Sequence, residues 1–171
     1  MIGEDAAIST RARMLRENFD SGFAHPPAAE RDAFDGVLTI RVCGEPYAVA
    51  LDEVHGLFVD RRVVPLPARC PESMGITCLR TGIVAVYGLC AFLGYPLTET
   101  PMRWLISVGE RQQFALAFER FEAYARVPRS QLLPAPATGG DGHIQGTATI
   151  AGERRPVISL RSIMHSVSTR S

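Results

Sequence analysis

The sequence predicts a mainly β protein in which two duplicated small barrels pack together, preceded by an N-terminal amphipathic helix. Three observations carry this. Apolar residues alternate with period two over much of the chain, a unit of about sixty residues recurs, and the first 35 residues differ in charge from the rest. With 171 residues, the chain suffices for one ordinary domain or two small ones sharing a core.

Residues 1–35 hold seven acids and four Arg; residues 36–171 hold eleven acids and fourteen Arg. Ser9 or Thr10 suits an N-cap. Ala12, Leu15, Phe19 and Phe23 then recur at helical steps, and His25-Pro26-Pro27 ends the segment. The spacing predicts an amphipathic helix over about 9–24 and a linker to about 35. That helix either packs on its own domain or is offered to a partner's groove.

In the remainder, Tyr47-Ala48-Val49-Ala50-Leu51-Asp52-Glu53-Val54 lies over Phe114-Ala115-Leu116-Ala117-Phe118-Glu119-Arg120-Phe121. Each copy follows a short alternation, Leu38, Ile40, Val42 in one and Trp104, Ile106, Val108 in the other, then a Gly-Glu turn. Gly75–Leu89 lies over Gly146–Leu160 without a gap, each reading as strand, tight turn, strand. Val64-Pro65-Leu66-Pro67 and Val127-Pro128 read as edge or loop segments. Leu132–Gly142 is the one long loop-like stretch. Cys90–Pro96 and Arg161–Met164 read as one-turn helices. Sheets this short close their edges by curling into barrels, the first over about 36–100 and the second over about 101–165.

Catalytic chemistry finds no foothold. All eighteen basic residues are Arg, so every mechanism that needs a lysine amine is excluded. No nucleophile-elbow, zinc-protease or phosphate-loop motif occurs, and no catalytic residue or cofactor is expected. The four His are isolated and the four Cys lack C-x-x-C spacing, so no metal site is expected. The cysteines read as small apolar groups in a reducing cytoplasm. Asp52, Glu53 and His55 read as a solvated strand end, because neighbours on a strand face opposite ways. Arg61-Arg62 and Arg154-Arg155 read as solvated turns. The chain is formally neutral, which disfavours bulk nucleic acid and anionic membranes as partners. No apolar run approaches the ~20 residues of a membrane span, and Met1–Ala7 does not read as a signal peptide.

The duplication also acts as a filter. Positions filled alike in both copies serve the barrel; positions filled differently are free for something else. Arg80 stands where the second copy has Ala151, so folding does not ask for it; beside the apolar run Ile83–Val86 it is either a rim residue with its stem packed down or a placed contact.

The Gly75–Leu89 segment resembles the signature of the CheW family, the coupling proteins of bacterial chemosensory arrays, written G-[VI]-x-N-L-R-G-x-[IV]-[VI]-P-[VI]-[VI]-D-L. Gly75, Ile76, Leu79, Arg80, Ile83, Val84, Val86 and Leu89 match it. The resemblance covers about 36–165. It implies two five-stranded barrels of the Src-homology-3 type, within a domain over 36–171, and no enzymatic activity. It implies an adaptor linking the cytoplasmic tip of chemoreceptors to the regulatory domain of a CheA-type histidine kinase, with the receptor in a groove between the barrels. Carried over residue by residue, it implies a partner-binding set of Arg80, Leu79, Gly75 and Val54, with Thr81 beside them. The family's Asn is Cys78 here, its second Gly is Thr81, its Pro is Ala85 and its Asp is Gly88. These departures predict an altered choice of partner. The alternative is a small-barrel module that binds nucleic acid or another ligand.

Overall fold

The computed structural model describes residues 34–67, 70–80, 82–96, 101–109, 114–135 and 142–170. The chain divides into Met1–Phe34 and Asp35–Ser171. The second unit is described below; the helix expected over 9–24 lies outside the described residues.

The strands are β1 (Phe34–Val42), β2 (Glu45–Ala50), β3 (Gly56–Val59), β4 (Ser73–Leu79), β5 (Gly82–Gly88), β6 (Trp104–Val108), β7 (Phe114–Phe118), β8 (Arg120–Pro128), β9 (Leu132–Pro134), β10 (Ile144–Ile150) and β11 (Glu153–Ile158). Two helices follow the last strands of the copies, α1 (Leu89–Phe92) and α2 (Leu160–Arg170). One sheet has the order β8-β1-β2-β11-β10-β9 and the other β3-β6-β7-β5-β4.

The duplication is written into the ladders. Gly75 lies opposite Val86, and Gly146 opposite Val157, each beside a register shift at the same place. Val86 pairs with Ala115 across the parallel β5–β7 contact, and Val157 pairs with Ala48 across β11–β2. Thus Tyr47 corresponds to Phe114 and Gly75 to Gly146, as the sequence overlay predicts.

Each sheet takes strands from both copies. The hairpin β1–β2 joins the sheet of β8–β11, while β6–β7 joins β3–β5. A boundary near residue 100 therefore cuts across both sheets. Alternation specifies the face of each strand, but two near-equivalent copies offer the same register to either hairpin, so the partner is decided by tertiary packing.

The first-strand overlay also shifts by one pleat. Ile40 lies opposite Tyr47, and Val108 opposite Phe114, so Ile40 corresponds to Val108 and Leu38 to Ile106. A period of two cannot resolve a shift of two. This alignment brings together two buried hydroxyls, Thr39 and Ser107. Thr39 Oγ1 donates to the Ala123 carbonyl at 3.1 Å and accepts from its N–H at 3.1 Å. Ser107 Oγ donates to the Gly56 carbonyl at 3.4 Å.

The core follows from the two-sided burial of β2 and β7. Phe114, Leu116 and Phe118 face a cluster shared by both sheets, with Ile40, Val49, Leu89, Ile158 and Ile163. Ala115 and Ala117 face the opposite way, into a cluster confined to the five-stranded sheet with Leu79, Val84 and Leu105. Phe58 on edge strand β3 packs against that cluster alongside Leu79 on the opposite edge strand β4. A sheet whose two edges share one core is curled into a barrel. Ala48, Ala148 and Val157 form the smaller core of the six-stranded sheet.

Three local expectations change. Leu132–Pro134, read as loop, forms the sixth strand β9 on β10. Val64 makes only a single bridge to Ile76 in the equivalent place. Val127-Pro128 closes the nine-residue strand β8. Finally, the one-turn helix expected at Arg161–Met164 runs for eleven residues. Leu160, Ile163, Met164 and Val167 put apolar groups on the shared core at helical spacing.

Candidate functional site

The candidate residues lie on and around the β4–β5 hairpin. Cys78 pairs with Ile83, and Leu79 with Gly82, across its end. Alternation turns Leu79 into the barrel core, leaving it 5% exposed, and turns Cys78 and Ile83 outward, with Ile83 74% exposed. Arg80 follows at the turn and is exposed. Among the described residues it has no hydrogen-bond or ion-pair partner. The equivalent turn residue, Ala151, has φ 52° and is also exposed.

The other carried-over residues have packing roles. Gly75 is buried with φ 134°, and a Cβ there would run into the Val64 carbonyl. Val54 caps the end of the 3-10 turn Leu51–Glu53 rather than lying on a strand. It packs on the shared core, as does its counterpart Phe121. Leu79 belongs to the other cluster, that of the five-stranded sheet. Thr81 lies outside the described residues. Gly88 precedes α1 without a side-chain cap, as expected of glycine there.

Two charged groups that read as solvated have internal work. Glu53 accepts hydrogen bonds from the Leu160 N–H at 2.6 Å and the Arg161 N–H at 3.2 Å, capping α2. Ser159 Oγ accepts from the Ser162 N–H at 3.2 Å and completes the first turn. A carboxylate at a helix N-terminus also meets the positive end of its dipole. Glu53→Ala is expected to lower stability by about 1–2 kcal/mol, read from the urea midpoint, while Asp52→Ala leaves it within about 0.5 kcal/mol.

Arg155 is the second case. Its side chain is 12% exposed and its Nη1 donates to Glu122, which also accepts from Arg41 Nε at 2.6 Å. These hydrogen bonds, that from Arg155 foremost, hold the Glu122 carboxyl below the usual carboxylate range. The counterpart of Arg155 in the other barrel is the buried Val84. Arg61, of the other basic pair, lies 5.6 Å over the Phe58 ring, so the nearest aromatic is taken up internally. Arg103 clamps Asp60 with two bonds of 2.7 Å, which lower the Asp60 pKa.

A cleft of about 810 Å³, which no sequence signal marks, opens on the six-stranded sheet, where Val37, Leu51, Leu133, Gln145, Arg129 and Arg161 line it. Arg129 there is paired with Asp35 at 3.2 Å. Among the described residues no three His, Cys, Asp or Glu side chains are grouped to hold a metal ion. No described helix is long and apolar enough to cross a membrane.

The CheW-like domain family matches residues 36–168, which takes in both barrels and α2 up to its last turn. The chain belongs to the CheW-like domain family. Its fold is also similar to the crystal structure of the scaffolding protein TtCheW from Thermoanaerobacter tengcongensis. The TM-score is 0.66 at 18% identity, over 74% of this chain and 89% of that one. A search of curated proteins finds no match. The CheW-like family is one of non-catalytic scaffolds for chemotaxis signalling, and the duplicated β architecture described here is its fold.

Proposed function

We propose that this protein is a cytoplasmic, non-enzymatic adaptor that links chemoreceptor tips to the regulatory domain of a CheA-type histidine kinase. Membership of the CheW-like family supports this reading. Arg80 is the observation that carries it to particular residues: an exposed cation, without a partner among the described residues, on a turn where the duplicate accepts Ala151. Cys78 and Ile83 beside it give the tip apolar surface, and Arg supplies a planar, multi-donor head suited to an interface anchor. Thr81, next in sequence, belongs to the same proposed contact. The resemblance adds Leu79, Gly75 and Val54 to the proposed contact; Leu79 packs in the barrel core beneath the hairpin, Gly75 keeps the close approach to Val64, and Val54 packs on the shared core. The departures at Cys78, Thr81, Ala85 and Gly88 alter the choice of partner.

Arg80→Ala tests the site. Affinity for a receptor cytoplasmic fragment is expected to fall by about 1–2 kcal/mol, and Arg80→Lys fails to restore a bidentate contact. Stability should move by less than about 0.5 kcal/mol, because the side chain is exposed. Unchanged affinity in Arg80→Ala would remove the site assignment. Binding to single-stranded DNA with a steep salt slope, and none to the kinase, would replace the adaptor by a nucleic-acid module.

A further inference from the structure

The chain that leads from β3 to β4 runs back beside the β4–β5 hairpin. Val64 and Ile76 exchange both backbone hydrogen bonds as an antiparallel pair, at 2.8 and 2.9 Å. Thr77 Oγ1 donates to the Arg62 carbonyl at 2.8 Å, which keeps the chain alongside β4 toward the hairpin turn. Counted from the Val64–Ile76 pair, that register sets Arg62 opposite Cys78, whose neighbour on β5 is Ile83. Burial agrees with the alternation: Val63 packs on the barrel cluster, while Arg62 and Val64 are exposed. The outward face at this end is therefore an apolar row, with Val64 46% and Ile83 74% exposed, flanked by Arg62 and by Arg80 at the turn.

Neither guanidinium has an ion-pair or hydrogen-bond partner among the described residues, and Asp60, two places before Arg62, is taken up by Arg103. The fold does not require Arg62. Leu133 pairs with Thr147 as Val64 pairs with Ile76, so the counterpart of Arg62 is the uncharged Gln131, just as that of Arg80 is Ala151. We propose that Arg62 and Arg80 together read an acidic segment of the receptor tip, in which carboxylates flank an apolar residue seated on Ile83. This rests on the adaptor reading of the Arg80 turn and adds a second anchor to it. Each guanidinium can hold a carboxylate through two parallel hydrogen bonds, and the contact removes Val64 and Ile83 from water. Nucleic acid fits this face less well, because a strand needs a continuous basic track with bare rings for stacking. Here the Phe58 ring lies under Arg61, and Arg155 of the other basic pair is spent on Glu122.

Binding of the full chain to a receptor cytoplasmic fragment, measured over a range of salt, tests this. Arg62→Glu should weaken binding about tenfold or more at low salt, and the gap to the parent should narrow at about 0.5 M salt, where exposed charges are screened. Ile83→Ser should weaken it about fivefold without changing the salt dependence. Arg154→Glu, at an exposed arginine of the six-stranded sheet, should bind as the parent does. Tm should stay at the parent value in Arg62→Glu, since the contact Arg62 makes within the fold uses its carbonyl. Parent-like binding by Arg62→Glu beside weakened binding by Arg80→Ala would overturn the inference and leave the adaptor reading standing. Tighter binding by Arg62→Glu would mean a basic partner and would overturn it as well. A parent chain that binds neither the receptor fragment nor the kinase regulatory domain would overturn both readings. Single-stranded DNA held by the parent and released by Arg62→Glu, with no receptor binding, would make the face a nucleic-acid reader instead.

Discussion

Gly75→Ala is expected to lower stability by about 3 kcal/mol or more. The reason is local and twofold. The backbone holds φ 134°, where a side chain is strained, and the new Cβ meets the Val64 carbonyl, a backbone atom that cannot turn aside. Gly146→Ala meets the Leu133 carbonyl in the same way, so it should be costly too. Gly82 separates the two causes. Its φ is 127° but a Cβ there meets nothing within 4 Å, so Gly82→Ala should cost about 1–2 kcal/mol from backbone strain alone. Urea midpoints of the three variants check this; equal losses at Gly75 and Gly82 would mean that the close approach contributes nothing.

Glu122→Ala should be the second large loss, about 2–3 kcal/mol, because it leaves Arg155 and Arg41 facing each other's charge without their shared carboxylate. Removing one partner of a fully buried ion pair costs more than this, but Glu122 is 21% exposed and solvent offsets part of the loss. Arg155 Nε is already buried without a hydrogen-bond partner among the described residues. The other barrel solves the same position with Val84. Glu122→Leu/Arg155→Val should therefore return to within about 1 kcal/mol of the parent. The network also has a pH signature. The Glu122 pKa is depressed on folding, so its stabilisation is present above the unfolded carboxylate value. That stabilisation is lost as pH falls through the lower folded value. The difference between the parent and Glu122→Gln should shrink over that acid range, and a difference independent of pH would contradict the assignment.

The duplication was legible because its signals are local. The matched spacing of Gly75 to Leu79 and of Gly146 to Ile150 marks both hairpins, to which the structure adds the register shift beside each glycine, and Tyr47 over Phe114 marks the corresponding second strands. What the sequence left open was long-range. Alternation specifies a strand's face, but nothing in Leu38–Val49 says that its neighbour is Val157 rather than Val86. Glu53 reaches Leu160, and Arg155 reaches Glu122 and Arg41, through contacts that no spacing announces. The length of α2 has a different cause: Leu160, Ile163, Met164 and Val167 carry the helical period, and Val167 extends it beyond the single turn that Arg161–Met164 suggests. At the site, sequence alone singled out Arg80 by comparison with Ala151. The structure adds that Gly75 and Leu79 are buried and Val54 half-buried, while Arg80 is exposed at the turn.

The adaptor claim is tested most directly by bridging. A receptor cytoplasmic fragment on beads, the regulatory domain of the kinase and the full chain are combined, and retained kinase is measured with and without the chain. The account predicts kinase retention only when the chain is present, with a marked loss for Arg80→Ala. Retention of the chain by neither fragment, with parent thermal stability intact, would contradict it.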